Sequence, residues 1–564
     1  MTHEKRTWWK EGILYQIYPR SFFDSNGDGI GDIPGICEKL DYIADLGVSA
    51  VWLSPIYTSP QYDNGYDVAD YRNIDPMYGT LEEWQILASE LHSRGIHILG
   101  DLVANHSSHQ HPWFHQASSS IDNKYHDYYI WHPGEQGRSP SDHIGFFQGN
   151  AWEWNEATRE YYLHMFLKEQ PDLNWDNPAV RKEMLDVVKF WKDCGIDGFR
   201  IDVANAISKD TSLFSKRSKT DTLSAFDFLN GPRLQEYLQE LCQKTRAYAG
   251  DDFLMLGECP EQYAHTALPL IGYENDALNL LYSFDLTKND LMKSQEARDR
   301  EKNIATKLRK YFTSWLSELY GKAWLTNYFN NHDLPRVVSK FGNDTEYREQ
   351  AAKAFLSISL FAHGTPILFQ GEELGMTNYP FTSFDDFKDV DALHFIEAQR
   401  AKGLKDDEIL EIIRPNSRDN SRTPMQWDNS PHAGFTTGTP WLSVNPNFKT
   451  IHASAQRKDP QSIYAYTQKL ITYRKTNPSM VYGDMNIHQP HSSDEQSILV
   501  FSRSSEQGKI FVCSNLSSHY APIPRDIPST GMKILCSNYI DEQTITSQKE
   551  LRPWESTIFI ETSR

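Results

Sequence analysis

Four short acidic segments recur along this chain, and each ends or follows an apolar run that is typical of a β-strand. They are DLVANH at residues 101–106, GFRID at 198–202, GE at 257–258 and NNHD at 330–333. Carboxylates at several successive strand ends are typical of a (β/α)8 barrel, because the functional groups of that fold lie on the loops at the carboxyl ends of its strands. The spacing therefore predicts a carboxylate-lined pocket at one rim of a parallel barrel.

Strand-like and helical patterns alternate along the sequence, as they do in a parallel α/β fold. The predicted barrel strands are residues 12–18, 50–54, 96–103, 197–202, 253–258, 278–284, 325–331 and 366–370. We therefore predict an α/β fold in which a (β/α)8 TIM barrel is formed by residues 1–105 and 176–481.

Two further regions are predicted around the barrel. Residues 106–175 are too long for an ordinary loop and indicate a small domain inserted after the third strand, which ends before a typical helix start at Asn177 and Pro178. Residues 379–450 are predicted to be rich in loops. Alternating apolar and polar residues predict an antiparallel β domain over residues 482–564.

The composition excludes several kinds of partner. The net charge of −20 on 564 residues argues against binding to nucleic acid or to anionic membranes. Six cysteines without a CxxC pair favour reduced thiols in the cytoplasm. The N-terminus lacks the apolar region of a secretion signal, and the most apolar stretch, residues 351–370, is interrupted by glycine and proline. We expect a cytoplasmic monomer without a membrane span, whose partner is a small molecule.

Two carboxylates at adjacent strand ends, Asp202 and Glu258, suit glycoside hydrolysis, in which one acts as nucleophile and the other as acid and base. Arg200 would lower the pKa of Asp202 and keep it ionised. Glu258 needs a pKa near the working pH, which neighbouring carboxylates would raise. Asp333 would accept hydrogen bonds from sugar hydroxyls. Each of these residues alone is equally compatible with a structural ion pair.

The joint occurrence of many ordered motifs is more specific than any single one. They are YQIYPRSF (15–22), DNGYDVADY (63–71), DLVANHSS (101–108), QPDLNWDNP (170–178), DGFRIDV (197–203), GECP (257–260), NNHDLPRVVS (330–339), QGEELGMTN (370–378) and SRDNSRTPMQWD (417–428). Over essentially its whole length the chain resembles the α-amylase superfamily of glycoside hydrolases, and specifically its oligo-1,6-glucosidase and α-glucosidase branch. The resemblance implies that Asp202 is the nucleophile, Glu258 the acid and base, and Asp333 the stabiliser of the transition state.

The resemblance also implies a set of substrate-binding residues. They are His106, Arg200 and His332 at the glucose, Asp63 and Arg422 at its non-reducing end, and Tyr66 and Phe166 as aromatic walls. Arg418 is the alternative partner of Asp63, because it lies in the same motif as Arg422. A pocket closed behind one sugar implies an exo-acting enzyme. Retention of the α configuration is expected if the two carboxyl groups lie about 5–5.5 Å apart.

Val203, directly after the nucleophile, bears on the preferred linkage. In the resembled branch Val at this position accompanies α-1,6 bonds, and a contact of this size is worth about 1–3 kcal/mol, a bias rather than an absolute selection. Ala204 and Leu334 depart from the commoner residues of the branch, and they bear on the same acceptor side. We expect release of glucose from short α-1,6-linked oligosaccharides such as isomaltose, isomalto-oligosaccharides and panose.

Other functions share the same motifs. Trehalose-6-phosphate hydrolases also carry Val after the nucleophile, and α-glucosidases that prefer α-1,4 bonds share the catalytic set. Sucrose isomerases are a weaker alternative, because they usually have Thr at this position. The heavy chains of amino-acid transporters share the fold without the catalytic residues and generally have a membrane span. This chain retains all three carboxylates, which favours an enzyme.

A glycine-rich loop predicts a cation site and no organic cofactor. Its oxygen ligands alternate as in the start of an EF-hand loop, and they are Asp24, Asn26, Asp28, the Ile30 carbonyl and Asp32. An acidic, solvated turn is the simpler interpretation, because the closing Glu of an EF-hand is missing. The loop also matches the cation-binding loop of the resembled branch, and this favours a structural Ca²⁺, with Mg²⁺ as the alternative.

Overall fold

The computed structural model describes residues 6–218, 222–287, 298–506, 508–525, 527–528, 531–539 and 550–561. The strands are β1 Leu14–Ile17, β2 Ala50–Leu53, β3 Tyr57–Thr58, β4 Asp70–Ile74, β5 His97–Val103, β6 Trp131–Pro133, β7 Trp152–Asn155, β8 Glu160–Leu163, β9 Gly198–Asp202, β10 Leu254–Glu258, β11 Leu280–Tyr282, β12 Thr326–Asn327, β13 Thr365–Phe369, β14 Asp484–His488, β15 Ile498–Ser505, β16 Gly508–Asn515, β17 Ala521–Pro522, β18 Met532–Ser537, β19 Glu550–Leu551 and β20 Ser556–Glu561. The α-helices are α1 Trp8–Glu11, α2 Ile33–Glu38, α3 Leu40–Leu46, α4 Leu81–Ser93, α5 Pro112–Ala117, α6 Pro178–Asp193, α7 Leu234–Ala249, α8 Ala264–Ile271, α9 Arg298–Leu319, α10 Val337–Lys340, α11 Arg348–Phe361, α12 Val390–Ala401, α13 Asp406–Ile413, α14 Asp419–Arg422, α15 Ala453–Gln456, α16 Ile463–Thr476 and α17 Pro478–Tyr482.

Eight parallel strands form the central sheet, in the order β11-β10-β9-β5-β2-β1-β13-β12. This is their chain order around a barrel, and a hydrogen bond from the Thr326 hydroxyl in β12 to the Leu281 carbonyl in β11 (2.8 Å) joins the two end strands. Almost all residues of these strands are buried, as expected for parallel strands that pack side chains inside the barrel and helices outside it. The predicted (β/α)8 barrel is confirmed.

All eight predicted barrel strands are present, and the seventh differs most from its predicted bounds. It was predicted over residues 325–331, whereas β12 contains only Thr326 and Asn327. Beyond β12 the chain turns, and two side chains of the predicted strand accept backbone amides that follow it: Asn331 accepts that of Asp333 (2.8 Å), and Asn330 accepts that of Val337 (2.7 Å). This turn presents Asp333 at the rim.

Helix α6 starts as predicted, with the Asn177 side chain accepting the Ala179 amide (2.9 Å) and Pro178 as the first helical residue. One stripe of α6 is buried, at the spacing of a single helical face: Val180, Met184, Leu185, Val187, Val188 and Trp191. This stripe holds α6 against the barrel and so positions the entry into β9, which carries Arg200 and Asp202.

Residues inserted after β5 form a three-stranded antiparallel sheet in the order β6-β8-β7. This sheet shares a hydrophobic cluster with the loop that follows β9, to which Trp152, Val203 and Phe228 belong. The Ala225 amide also donates to the Ile144 carbonyl (2.8 Å). The inserted segment therefore lies against the rim beside the nucleophile strand.

The C-terminal part contains a five-stranded antiparallel sheet in the order β14-β15-β16-β20-β18. Of the predicted C-terminal domain, residues 507, 526, 529–530, 540–549 and 562–564 lie outside the described residues. Within the described part of the chain, no helix has both the length and the apolar character needed to cross a membrane. The six cysteines are free thiols.

The prediction that residues 379–450 are rich in loops was incomplete. Helices α12 and α13 lie in this region. Helix α12 buries only Ala392 and Ile396, and α13 buries only Ile409 and Ile413. Helix α12 shows little apolar periodicity, and α13 is amphipathic but only eight residues long, so neither gave a clear helical pattern over a long window.

Candidate active site

One buried arginine at the barrel rim contacts three carboxylates. Arg200 Nη1 lies 2.7 Å from Asp101 Oδ1 and 2.6 Å from Asp202 Oδ1. Arg200 Nη2 lies 2.6 Å from Glu258 Oε2. The three acids come from the neighbouring strands β5, β9 and β10. The structure thus brings Asp202, Arg200 and Glu258 together, as predicted.

Asp101 was not among the predicted site residues, although it lies in one of the four acidic segments. Its side chain faces the site because the parallel register pairs Asp101 with Arg200. Only this register, which depends on the neighbouring strand, could have shown that Asp101 shares the Arg200 guanidinium.

The charges around Arg200 are not balanced. Burial raises the pKa of Asp202 to about 7, although Arg200 acts to lower it. Burial likewise raises the pKa of Glu258 to about 7, against Arg200, with the charges of neighbouring carboxylates adding to the rise. For Asp101, burial raises the pKa to about 6. Because a single guanidinium cannot neutralise three buried carboxylates, burial favours a shared proton in the cluster near neutral pH.

Two groups hold the Glu258 carboxyl in place. The Val203 amide donates to Oε2 (3.0 Å), and the Tyr282 hydroxyl donates to Oε1 (3.2 Å). Val203 has φ 35° and ψ 51°, a left-handed conformation that is rare for a β-branched residue. Tyr282, which also accepts a hydrogen bond from Arg200 Nε (3.1 Å), was missed because a tyrosine in an apolar run carries no signal of a polar role.

Asp333 has the most exposed side chain of the three predicted catalytic acids, at 21%, against 10% for Asp202 and 5% for Glu258. Its Oδ1 pairs with Arg422 Nη2 (3.0 Å) and Arg418 Nη1 (3.1 Å). Burial would raise the pKa of Asp333, but the adjacent histidine and the two arginines outweigh it and hold the pKa below its usual range. Asp333 is therefore an ionised acceptor that faces the pocket.

His332 and Tyr66 form one unit beside Asp333. Burial lowers the pKa of His332 to about 3, so the ring is neutral. Gln16 Nε2 donates to Nδ1 of His332 (2.9 Å), so the proton of the neutral ring lies on His332 Nε2. That nitrogen is 2.6 Å from the Tyr66 hydroxyl and 3.1 Å from Asp333 Oδ2. The Tyr66 ring stacks on the His332 ring at 5.3 Å. The predicted aromatic wall thus packs on the predicted histidine.

A second polar group surrounds Asp63. Gln170 Nε2 donates to Asp63 Oδ2 (3.1 Å) and lies 3.1 Å from His106 Nε2. Burial raises the pKa of Asp63 to about 7, and it lowers the pKa of His106 to about 3. Phe166 packs on His106 at 5.0 Å. Asp63 Oδ1 is buried and accepts no hydrogen bond within the described part of the chain, which a sugar hydroxyl would correct.

The arginine that faces Asp63 is Arg418, which corrects the prediction of Arg422. Arg418 Nη2 lies 3.6 Å from Asp63 Oδ1 and its side chain is 14% exposed. Arg422 is 2% exposed and donates to the His332 carbonyl (3.0 Å). Both arginines bind Asp389, at 2.6 Å for Arg418 and 3.2 Å for Arg422. Asp389 precedes α12, in the region predicted to be loops, and it was missed there.

The predicted cation loop is a compact turn in which side chains accept backbone amides. Asp24 accepts the amides of Asn26 (3.0 Å), Gly27 (2.7 Å) and Gly29 (2.8 Å), Asn26 accepts that of Asp28 (2.9 Å), and Asp28 accepts that of Ile30 (2.8 Å). Asn26 and Asp28 are exposed, and an all-oxygen donor set of this kind fits a hard cation.

Asp32, the last predicted ligand, likewise accepts a backbone amide, that of Gly35 (2.6 Å), and so caps α2. No group of three or more His, Cys, Asp or Glu residues is placed to hold a metal within the described ranges. The side chains of Asp24, Asn26, Asp28 and Asp32 thus give the loop oxygen donors of the type that a hard cation takes.

The parallel barrel and the acids at its strand ends define an enzyme of the glycoside hydrolase class. Residues 16–483 match the family described as the α-amylase catalytic domain, and the chain belongs to that family. It is 43% identical over 563 residues to an oligo-1,6-glucosidase of Parageobacillus thermoglucosidasius, covering 98% of this chain and 99% of the relative. A trehalose-6-phosphate hydrolase of Bacillus subtilis is 40% identical, covering 99% of both chains.

Solved structures show the same likeness. The trehalose-6-phosphate hydrolase of Bacillus licheniformis has a TM-score of 0.90 and 36% identity, covering 99% of this chain and 100% of that chain. The isomaltulose synthase of Protaminobacter rubrum has a TM-score of 0.91 and 36% identity, with the same coverage. Proteins with different reactions thus share this architecture.

Proposed function

We propose that this protein is a retaining, exo-acting α-glucosidase that releases glucose from the non-reducing end of short α-1,6-linked oligosaccharides such as isomaltose, isomalto-oligosaccharides and panose. The observation that carries the proposal is the pairing of Asp202 and Glu258 with a single guanidinium, that of Arg200. The similarity to oligo-1,6-glucosidases supports the linkage.

In the first half of the reaction, an Asp202 oxygen attacks the anomeric carbon while Glu258 gives its proton to the oxygen of the leaving sugar. The glycosidic bond breaks and a glucosyl ester forms on Asp202. The Arg200 guanidinium, 2.6 Å from Asp202, favours the ionised form of the attacking carboxylate and opposes the burial that raises its pKa. Glu258 must carry a proton at this stage. Hydrogen bonds from the Val203 amide and the Tyr282 hydroxyl fix the position of its carboxyl group for transfer of that proton.

In the second half, Glu258 is ionised and takes a proton from water. The water oxygen attacks the anomeric carbon, the ester to Asp202 breaks, and glucose leaves with the α configuration. Two displacements at the same carbon restore its original configuration. Asp333 offers an acceptor to the hydroxyls of the sugar during both steps, and His332 Nε2 lies beside it, 3.1 Å from Oδ2.

The exo action follows from Asp63 and Arg418. Asp63 Oδ1 lacks a donor among the described residues, and the nearest charged nitrogen, on Arg418, is 3.6 Å away. The hydroxyls of a terminal glucose can satisfy both groups. An acid and an arginine that meet across the pocket leave no passage for further sugar units beyond that glucose.

Trehalose-6-phosphate hydrolysis is the second candidate, because the chain is 40% identical over 565 residues to a trehalose-6-phosphate hydrolase of Bacillus subtilis. A phosphorylated leaving sugar needs cations near it. Val203 shares a hydrophobic cluster with Ala206, and Phe146 and Phe166 pack against that cluster; apolar neighbours of this kind support a neutral sugar.

The deciding experiment measures release of glucose from isomaltose, maltose, sucrose and trehalose-6-phosphate by the purified enzyme. We expect the highest kcat/KM for isomaltose, and loss of turnover in Asp202→Asn but not in Asp122→Asn, which changes an exposed acid. A preference for trehalose-6-phosphate would keep the mechanism and replace the substrate. Near-normal turnover by Asp202→Asn would refute the assigned nucleophile.

We further propose that the protein is a cytoplasmic monomer and that its loop binds a structural Ca²⁺, or Mg²⁺ in its place. The ligands would be Asp24, Asn26, Asp28, the Ile30 carbonyl and Asp32. A cation there would order a turn that hydrogen-bonds to the Thr436 hydroxyl through Asp24, and it would take no part in the chemistry. Light scattering of the purified protein tests the monomer.

A further inference from the structure

Phe226 is a half-exposed phenylalanine, with 45% of its surface accessible, in the loop between β9 and α7. The turn that carries it, Ala225–Phe228, is tied to the inserted segment, because the Ala225 amide donates to the Ile144 carbonyl (2.8 Å) and the Ile144 amide donates to the Leu223 carbonyl (3.1 Å). An isolated exposed phenylalanine would need no explanation. This one is held by an ordered backbone at the rim of the active site.

A row of aromatic rings connects Phe226 with the proposed glucose pocket. Phe146 stacks on Phe166 with ring centres 4.8 Å apart, and Phe226 meets Phe146 edge-on at 4.6 Å. Phe166 itself packs on His106. Phe146 and Phe166 also pack against the hydrophobic cluster that contains Val203, next to the nucleophile. The row therefore begins at the glucose wall beside His106, passes along the cluster that contains Val203 and ends at the exposed Phe226.

We infer that Phe146 and Phe226 form an aromatic platform for the sugar ring on the leaving-group side of the scissile bond. This inference rests on the proposed function. Each step along the row is comparable with the width of a pyranose ring, so the platform lies one sugar beyond Phe166. Aromatic rings pack against the apolar C–H face of a hexose, and the apolar surroundings suit a neutral sugar.

The platform acts on specificity rather than on the reacting atoms. It binds the leaving sugar in hydrolysis, and it binds an acceptor sugar when the glucosyl ester is attacked by a sugar hydroxyl in place of water. In that transfer the acceptor oxygen forms the new glycosidic bond, the ester to Asp202 breaks, and Glu258 takes the hydroxyl proton. Phe226 should therefore raise both the kcat/KM for disaccharides and the ratio of transfer to hydrolysis.

Phe226→Ala, compared on isomaltose and on α-glucosyl fluoride, tests the platform. The fluoride leaving group is too small to reach Phe226. We expect kcat/KM for isomaltose to fall about 5- to 10-fold, from loss of the surface of about half a phenyl ring. The value for α-glucosyl fluoride should be unchanged, and the transfer ratio at fixed isomaltose should fall. Phe226→Tyr should keep both properties, and Tyr520→Ala, at an exposed tyrosine (65%) in the C-terminal part, is the matched control.

Unchanged isomaltose kinetics in Phe226→Ala would overturn the platform. An equal loss on both substrates would assign Phe226 to the structure of the turn and overturn it as well. Failure of the proposed function is a separate result: the wild type would hydrolyse α-glucosyl fluoride but not isomaltose. In that case the same comparison, with the disaccharide that the wild type does hydrolyse, still decides for or against the platform.

Discussion

Glu258→Gln separates the role of Glu258 in catalysis from its effect on stability. Glutamine keeps the shape of the side chain and an oxygen for the Val203 amide, but it cannot transfer a proton. General acid catalysis contributes about 10²- to 10⁴-fold, so kcat/KM for isomaltose should fall by that factor. In the wild type, a pKa of about 7 for Glu258 means that the acid form is present below pH 7 and is lost above it. Activity should therefore fall about tenfold per pH unit on the alkaline side.

The same pKa predicts that the variant is more stable than the wild type at alkaline pH. The ordinary pKa of a glutamate is 4.5, and in the folded protein it is about 7. The folded state thus binds the proton more tightly than the unfolded state, and above pH 7 it is destabilised by roughly 3 kcal/mol through this one group. The cost is absent below pH 4.5, where both states are protonated, and it grows between pH 4.5 and 7. The glutamine of the variant is neutral at every pH, so the variant avoids this cost.

Urea unfolding at pH 5 and pH 8 measures this difference. We expect Glu258→Gln to exceed the wild type by up to roughly 3 kcal/mol at pH 8 and by much less at pH 5. Glu318→Gln, at an exposed position of α9, is the control and should change little at either pH. The conclusion that Arg200 leaves the buried carboxylates only partly neutralised would be refuted by either of two results. One is a variant less stable than the wild type at pH 8, and the other is an equal stability difference between the two proteins at both pH values.

Arg418→Lys should lower kcat/KM for isomaltose about 10- to 100-fold in initial-rate kinetics. The reason is that one ammonium cannot reproduce the pairing of two Arg418 nitrogens with the Asp389 carboxylate. Arg422→Lys should mainly lower the melting temperature, and the opposite pattern would contradict the placement of the two arginines. Val203→Gly should change the free energy of unfolding in urea by about 1 kcal/mol or less. Loss of the buried side chain costs about 1.5–3 kcal/mol, and relief of the left-handed backbone strain returns about 1–3 kcal/mol. Val51→Gly in β2, buried and without such strain, should cost more, and equal losses would argue against strain at Val203. Added Ca²⁺ should raise the melting temperature of chelator-treated wild type in calorimetry but not that of Asp28→Ala, and an equal rise in both would place the cation elsewhere.

Some features of the site follow from the sequence alone. The carboxyl ends of parallel strands meet at one rim, so Asp202 at the end of β9 and Glu258 at the end of β10 had to be neighbours once the alternation of strands and helices was recognised. The same holds for the helix start at Asn177, since capping depends on residues next to each other in the chain.

Other features depend on contacts between distant parts of the chain. Arg418 and Arg422 are four residues apart, one helical turn, so spacing alone could not tell which faces the pocket. Tertiary packing decided it, because Arg422 is drawn into the interior by the His332 carbonyl while Arg418 reaches Asp63.

The sequence by itself therefore determined the barrel, the order of its strands and the acids at their ends, because periodicity and local capping are short-range properties of the chain. Only the tertiary structure decided that Asp101 shares the guanidinium of Arg200, that Tyr282 holds Glu258, and which arginine faces Asp63. These depend on register and burial, which are set by residues from about 20 to several hundred positions away.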